Sequence, residues 1–279
     1  MLLATVLSLA AAVLHAGWNF VAKRAEGDRY MVLWAQFAMA GVIALPIAIG
    51  NHLLFGMPGR AYMFAALSGS VHLPYLYLLA KAYTFGDFSV SYPLARGGGA
   101  ALAAIGGVLF LSDNLNIWEG LGITIVVLGL SLLARGATGR NLLIAMGVAA
   151  SIGVYSVLDA AGSRTKRDTV AYIFATMICG AIANTTYAWA SGRRHDMAAT
   201  LQRRWRPALA AGIAATATYG MVTVAWQHAS VGYVTALRES SVVLAALAGW
   251  RYLGEGDHRR RLAAAAIVFG GLLVLVLGR

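Results

Sequence analysis

Arg96-Gly-Gly-Gly-Ala-Ala-Leu-Ala-Ala-Ile-Gly-Gly-Val-Leu-Phe-Leu-Ser-Asp113 and Arg238-Glu-Ser-Ser-Val-Val-Leu-Ala-Ala-Leu-Ala-Gly-Trp-Arg-Tyr-Leu-Gly-Glu255 are the two stretches that decide the fold. Set 142 residues apart, they place Arg96 on Arg238, Asp113 on Glu255, and Gly99, Ala103 and Gly107 on Ser241, Ala245 and Gly249. The same offset puts Tyr30 on Tyr172, Tyr77 on Tyr219 and Gly129 on Gly271. One unit is therefore written twice, as residues 1–140 and 141–279. If each copy holds five spans, chain direction reverses between them and the second lies inverted in the membrane.

Composition demands the membrane. Of 279 residues 59% are hydrophobic and only 12% charged, with a mean hydropathy of +0.70. A soluble domain carries about 25% charged residues. Apolar runs of roughly 20 residues, each long enough to cross a bilayer, fill almost the whole length. They lack period-two alternation, and in lipid a continuous apolar run must satisfy its backbone internally, so helices are expected and barrel strands are not. The reading is an all-α polytopic membrane protein with ten transmembrane helices as two inverted five-helix repeats. The spans are Leu2–Ala22, Tyr30–Gly50, Ala61–Ala82, Val90–Leu111, Ile117–Ala134, Leu142–Gly162, Thr169–Ser191, Pro207–His228, Val234–Leu253 and Leu262–Gly278. Met1 to Ala12 has no basic leader and its run continues into Trp18 and Asn19, so it reads as an uncleaved first span.

The net charge of +11 does not point to nucleic acid, because the basic residues cluster between apolar runs, as in Lys23-Arg24, Arg203-Arg204 and Arg259-Arg260-Arg261. Loops after odd-numbered spans hold 15 Lys and Arg, and the opposite side holds 5 (Arg60, Arg164, Lys166, Arg167 and Arg279). The positive-inside rule then puts both termini outside the cytoplasm. Between Gly192 and Arg206, Met197, Leu201 and Trp205 recur at i, i+4, i+8, which suits either an amphipathic surface helix or a flexible basic loop. The single cysteine, Cys179, excludes an intramolecular disulfide and a dithiol metal site. No cofactor, metal or catalytic residue is expected.

Small residues permit close helix approach in lipid. The stripes on spans four and nine predict tight packing of each against the fifth helix of its half, through Gly122 and Gly129 and through Gly270 and Gly271. That would leave spans one to three and six to eight to line a cavity. Pro74 and Pro93 read as static kinks rather than hinges.

Ionisable groups within spans cost ~2.5–3.5 kcal/mol each at the bilayer centre, so they point to function. Span one carries His15, Trp18 and Asn19 on one face, and span six carries Tyr155 and Asp159 on the matching face. Span three offers His72, Tyr75 and Tyr77, and span eight Tyr219, Thr223 and Trp226. Arg238 and Glu239 complete the candidate substrate-binding set. Arg96 and Arg238 suit either structural ties or substrate contact, and Glu239, whose repeat partner is Gly97, either pairs with a base or faces the cavity. The expected site lies at the midplane between spans one, three, six and eight, with Asp159 as cation partner and Arg238 as carboxylate partner of a zwitterion.

Leu14-His-Ala-Gly-Trp-Asn-Phe-Val-Ala-Lys23 resembles the opening helix of the EamA type in the drug/metabolite transporter superfamily, and Gly86-Asp-Phe-Ser-Val-Ser-Tyr-Pro-Leu94 its entry to the fourth helix. Val231-Gly-Tyr-Val-Thr-Ala-Leu237, running on to Leu253-Gly254-Glu255, repeats the pattern; in the first copy that ending is Leu111-Ser112-Asp113. The resemblance covers essentially the whole chain. It implies ten helices around a central cavity and, for bacterial members, export of metabolites across the inner membrane, with kinship to the aromatic amino-acid exporters. It specifies fold better than substrate.

Three function classes follow. The first is secondary export of amino acids or similar small metabolites by alternating access, which fits the absence of a P-loop pattern. The second is multidrug or other small-solute transport on the same fold. The third, an intramembrane enzyme built on Ser68 and His228, lacks any oxyanion arrangement. Ten spans can enclose a cavity in one chain, so a monomer in a lipid bilayer, with a small-molecule substrate as partner and no nucleic acid, is expected.

Overall fold

A computed structural model describes residues 1–134, 139–165, 170–254 and 257–277. Arg135, Lys166, Arg167 and Arg279 of the charge count, Glu255 of the repeat, and the span ends Thr169 and Gly278 lie outside the described residues. The described residues form eleven helices and no strand: α1 (Leu2–Arg24), α2 (Arg29–Phe55), α3 (Gly59–Phe85), α4 (Phe88–Leu111), α5 (Ile117–Ala134), α6 (Gly139–Ser163), α7 (Val170–Ala190), α8 (Arg194–Ala225), α9 (Val231–Arg238), α10 (Ser241–Leu253) and α11 (His258–Leu277). Among them α1, α2, α3, α4, α6 and α8 are long and apolar enough to cross a membrane, and α5 and α10 are shorter apolar helices. Leu53, Leu109, Phe110, Leu143 and Ile182 stand exposed on the outside, the inverse of a soluble protein and the surface that lipid tails solvate. The chain is an all-helical polytopic membrane protein.

Local chemistry sets the helix starts. Asp28 caps α2 by accepting hydrogen bonds from the Tyr30 and Met31 amides. Asn116 and Glu119 form a reciprocal capping box at α5, each side chain accepting from the other's amide at 2.8 Å. α4 and α10 end alike: Ser112 and Gly254 are both left-handed, at φ 56° and 64°, and the amides there donate to the Gly107 and Gly249 carbonyls.

Two differences from the sequence reading concern the arginine-bearing helices. The ninth span is α9 plus α10 rather than one helix. Between them the Ser240, Val242 and Val243 amides donate to carbonyls three residues back, the tighter 3₁₀ pattern. The packing of spans four and nine also needs correction. α4 lies chiefly against α6, and α5 against α11. The reason is steric: Gly99 and Gly106 leave room for Ile152 and Val157 of α6, and Gly153 for Leu102 of α4. Gly129 admits Val268 and Ile267 of α11, while Gly271 lies against Gly122 and Val126 of α5. Gly122, Gly129 and Gly271, expected to receive spans four and nine within their own halves, thus pack closely between the halves instead, and Gly270 has open space beside it.

Each end of the bundle is laced across helices. At the arginine-rich end Lys23 donates to the Tyr83 and Gly86 carbonyls, Arg193 pairs with Asp28, Arg204 donates to the Glu26 carbonyl, and Arg261 reaches Asp87 and Ser89. At the other end Arg164 grips Asp113 at 2.7 Å, and the second oxygen of Asp113 accepts from the Val231 amide that opens α9. Of the Gly192–Arg206 stretch, Arg194 onward is helical and forms the start of α8, which kinks at non-helical Arg204, three residues before Pro207. Met197 is buried there and Trp205 exposed.

Candidate functional site

α1, α2, α3, α6, α7 and α8 surround a small cavity into which α9 adds one residue. His15 and Trp18, Phe37 and Ala40, His72 and Tyr75, Tyr155, Met177, Ala215, Thr218 and Tyr219, and finally Arg238 line it. Its volume is about 50 Å³, room for one or two waters at ~30 Å³ each and far below the ~300–1,000 Å³ of ordinary ligand pockets. The walls are aromatic. His72 stacks on Tyr155 at 4.6 Å between ring centroids, His15 meets Trp18 edge-on at 4.8 Å, and Tyr75 lies 5.6 Å from Tyr155.

Polar atoms at these walls are under-used. His15 Nε2, Trp18 Nε1, and Nε and Nη2 of Arg238 are buried without a hydrogen-bond partner among the described residues. A buried donor left unpaired costs about 1–3 kcal/mol, and more when charged. Folded chains seldom leave four such atoms around one small space unless water or a ligand completes them. Next door Arg96 and Glu239 form an ion pair at 2.8 Å, with relative exposures of 2% and 0%. Tyr92 donates to Ser241 at 3.0 Å and so ties α4 to α10 beside that pair.

Trp18 also borders a second space, a crevice of about 360 Å³ between α1, α2 and α8 that runs toward Arg24 and Arg204 at the arginine-rich end. A larger volume, about 850 Å³ between α3, α4 and α6, is an outer groove walled by exposed Ile105, Leu109, Phe110 and Val154. Lipid tails solvate such a wall, so the small central cavity is the better site candidate despite its size.

This arrangement has known counterparts. Residues 140–277 match the EamA-like transporter family. A solved crystal structure shares the fold over 99% of this chain and 99% of its own, with a TM-score of 0.68 at 17% identity. No curated protein matches the chain significantly in sequence. The EamA-like match covers the second half, which supplies Tyr155, Met177, Ala215, Thr218, Tyr219 and Arg238 to the cavity.

Of the residues singled out in the sequence, His15, Trp18, His72, Tyr75, Tyr155, Tyr219 and Arg238 meet at this cavity. Six others do not line it. Asn19 donates to the His15 carbonyl and accepts from the Tyr83 hydroxyl. Tyr77 packs with Tyr30 and Tyr187, under the ammonium of Lys81. Asp159 is fully buried behind the wall, accepting from Tyr172 at 2.8 Å with the Ser68 and Tyr219 hydroxyls nearby. Thr223 donates back to the Tyr219 carbonyl, Trp226 is buried with its carbonyl held by Arg164, and Glu239 is engaged by Arg96. Ser68 is fully buried beside Asp159 and His228 is exposed at the end of α8, so the serine–histidine pair is not formed. Phe37, Ala40, Met177, Ala215 and Thr218 were not anticipated. The available hint was Thr218, a hydroxyl one position before Tyr219 in a mostly apolar run.

Proposed function

We propose that the chain is a secondary exporter of amino acids or related small metabolites across the bacterial inner membrane. In this reading residues 1–140 and 141–279 are inverted repeats that rock about the central cavity in alternating access. The carrying observation is that cavity, closed in this conformation and ringed by aromatic groups with unsatisfied polar atoms. At 50 Å³ it must widen to admit a solute, and the crevice behind Trp18 supplies a direction for opening.

Packing supports the two-repeat frame. Number α9 and α10 together as the ninth span, and move every helix five spans along. The α1–α8 pairing then becomes α6–α3, α2–α8 becomes α7–α3, and α4–α6 becomes the packing of α9 and α10 on α1, all of which occur. Because the cavity is enclosed within one chain, a monomer suffices. The basic bias of the arginine-rich end supports termini outside the cytoplasm. An active alkaline phosphatase fusion at the C-terminus, with a dark green fluorescent protein fusion, is expected; the reverse pattern inverts the orientation.

The test is transport by purified protein in proteoliposomes, with a panel of amino acids set against lipophilic cations. Export of amino acids is expected, and loss of it in Thr218→Trp, which fills the cavity. Full activity of folded Thr218→Trp removes the cavity from the transport path. Transport of the cations alone moves the chain to the multidrug reading.

A further inference from the structure

The central cavity has one formal charge on its wall. Arg238 is 3% exposed, lines the cavity, and leaves Nε and Nη2 unpartnered among the described residues. Its repeat mate Arg96 has a carboxylate at 2.8 Å, supplied by Glu239 from across the repeat boundary. The second carboxylate that symmetry would require is absent. Its position is Gly97, where an added Cβ would come within 1.4 Å of Leu130 Cδ1. Of the two guanidiniums only Arg96 has a carboxylate in direct contact, and Arg238, which has none, faces the cavity.

Asp159 is near enough to act on Arg238 electrostatically, but it neither pairs with it directly nor enters the cavity. It is absent from the lining, and Oδ1 accepts from Tyr172 on the α7 side. The remaining lining residues are aromatic, aliphatic, hydroxyl or imidazole. A ligand carrying one negative charge supplies the direct contact that Arg238 lacks. A zwitterion supplies the same contact but brings an ammonium group for which the lining holds no carboxylate, and a cation brings only that ammonium.

We propose, resting on the transporter reading above, that the cavity recognises a single carboxylate. Arg238 takes it by the paired N–H donors of its guanidinium, and the ligand's ammonium group contributes nothing to binding. The substrate class is then small monoanionic acids with a compact apolar or aromatic body, which the Trp18, Phe37, Tyr75 and Tyr155 rings enclose. Amino acids enter this class through their carboxylate and bind less well than the same acids without the amine.

Three probes of equal skeleton separate the charges: 3-phenylpropanoate, phenylalanine and 2-phenylethylamine. Binding to the full-length purified chain in detergent is read by tryptophan fluorescence and by the shift in melting temperature, which avoids passive leakage of a weak acid through vesicles. The expected order is the acid first, phenylalanine about tenfold weaker or more, and the amine without measurable binding. Hydrogen bonds to charged groups are worth roughly 1.5–3 kcal/mol, so Arg238→Gln weakens the acid by about tenfold or more and erases its preference over the amine. Arg238→Lys, which keeps the charge and loses the fork, retains part of that preference, and Asp159→Asn leaves the order unchanged. Melting temperatures of the ligand-free variants report folding.

Failure to bind 3-phenylpropanoate by folded wild type, equal binding of the amine, or a preference for the acid that survives Arg238→Gln overturns the proposal. Thr218→Trp separates this from failure of the underlying reading. If the acid still binds that folded variant normally, the cavity is not the site at all. If binding is lost there while Arg238→Gln changes nothing, the cavity stands and the single-carboxylate assignment falls.

Discussion

α4 runs as one unbroken helix past Arg96, whereas the corresponding stretch of the second half is two helices, α9 and α10, meeting just after Arg238. The sequences differ there by one decisive residue. Gly97 follows the first arginine and lets α4 press against Leu130; Glu239 follows the second and crosses to Arg96. Around this point the halves agree closely, down to the αL caps on α4 and α10. The difference teaches that one carboxylate, present in one stretch and missing from the other, can pair the first arginine and leave Nε and Nη2 of the second without a hydrogen-bond partner among the described residues.

The largest expected effect comes from removing one partner of the Arg96–Glu239 pair. Both ends are fully or almost fully buried, so Arg96→Met strands a carboxylate in a low-dielectric interior, a loss of about 3–5 kcal/mol. The double variant Arg96→Met/Glu239→Leu is expected to recover most of that stability. Arg238→Met, which breaks no hydrogen bond among the described residues, is expected to cost far less. Equilibrium unfolding in mixed micelles ranks the three. Equal losses for Arg96→Met and Arg238→Met would mean that the two arginines are held alike and the comparison fails.

Gly97→Ala is the intermediate case. The new methyl meets the end of the Leu130 side chain, which can shift only within a packed seam, and overpacking of this kind costs about 1–3 kcal/mol. Adding Leu130→Ala should make the pair of substitutions less harmful than the sum of the two, the sign of a shared space. Additive losses in a double-mutant cycle would show that Gly97 is needed for something other than room.

How far the sequence displays this arrangement depends on the range of each interaction. Helical spans follow from local hydropathy, and most of their ends fall within a few residues of the expected places. His15, Trp18, His72, Tyr75, Tyr155 and Tyr219 stand out because polar or aromatic groups amid apolar runs are costly and few. Phe37, Ala40 and Met177 could not be picked out, since an apolar residue on an apolar helix carries no mark of facing a cavity rather than lipid. Asp159 and Tyr77 show the converse: a polar residue advertises burial, but helix rotation decides what it faces. The partner of Glu239 lies 143 positions away, beyond any periodicity. The break between α9 and α10 is equally silent, because Glu239, Ser240 and Ser241 are all residues that helices tolerate. Likewise the glycine stripe on α4 announces close approach without naming α6 as its partner.

The smallest expected effect lies at the caps. Ser112 and Gly254 occupy the same left-handed position at the ends of α4 and α10, at φ 56° and 64°. For a residue with a Cβ that conformation costs about 1–2 kcal/mol, while glycine gives back roughly 0.5–1 kcal/mol through the freedom it loses on folding. The balance favours glycine by about 0.5–1 kcal/mol. Ser112 is exposed, so its hydroxymethyl group gives up little packing when removed. Ser112→Gly is therefore expected to raise the melting temperature slightly, and Gly254→Ser to lower it by a similar amount. A loss of stability in Ser112→Gly would show that the two caps, alike in backbone, differ in what the first half asks of its serine, and the asymmetry would then extend beyond Glu239 to the ends of these helices.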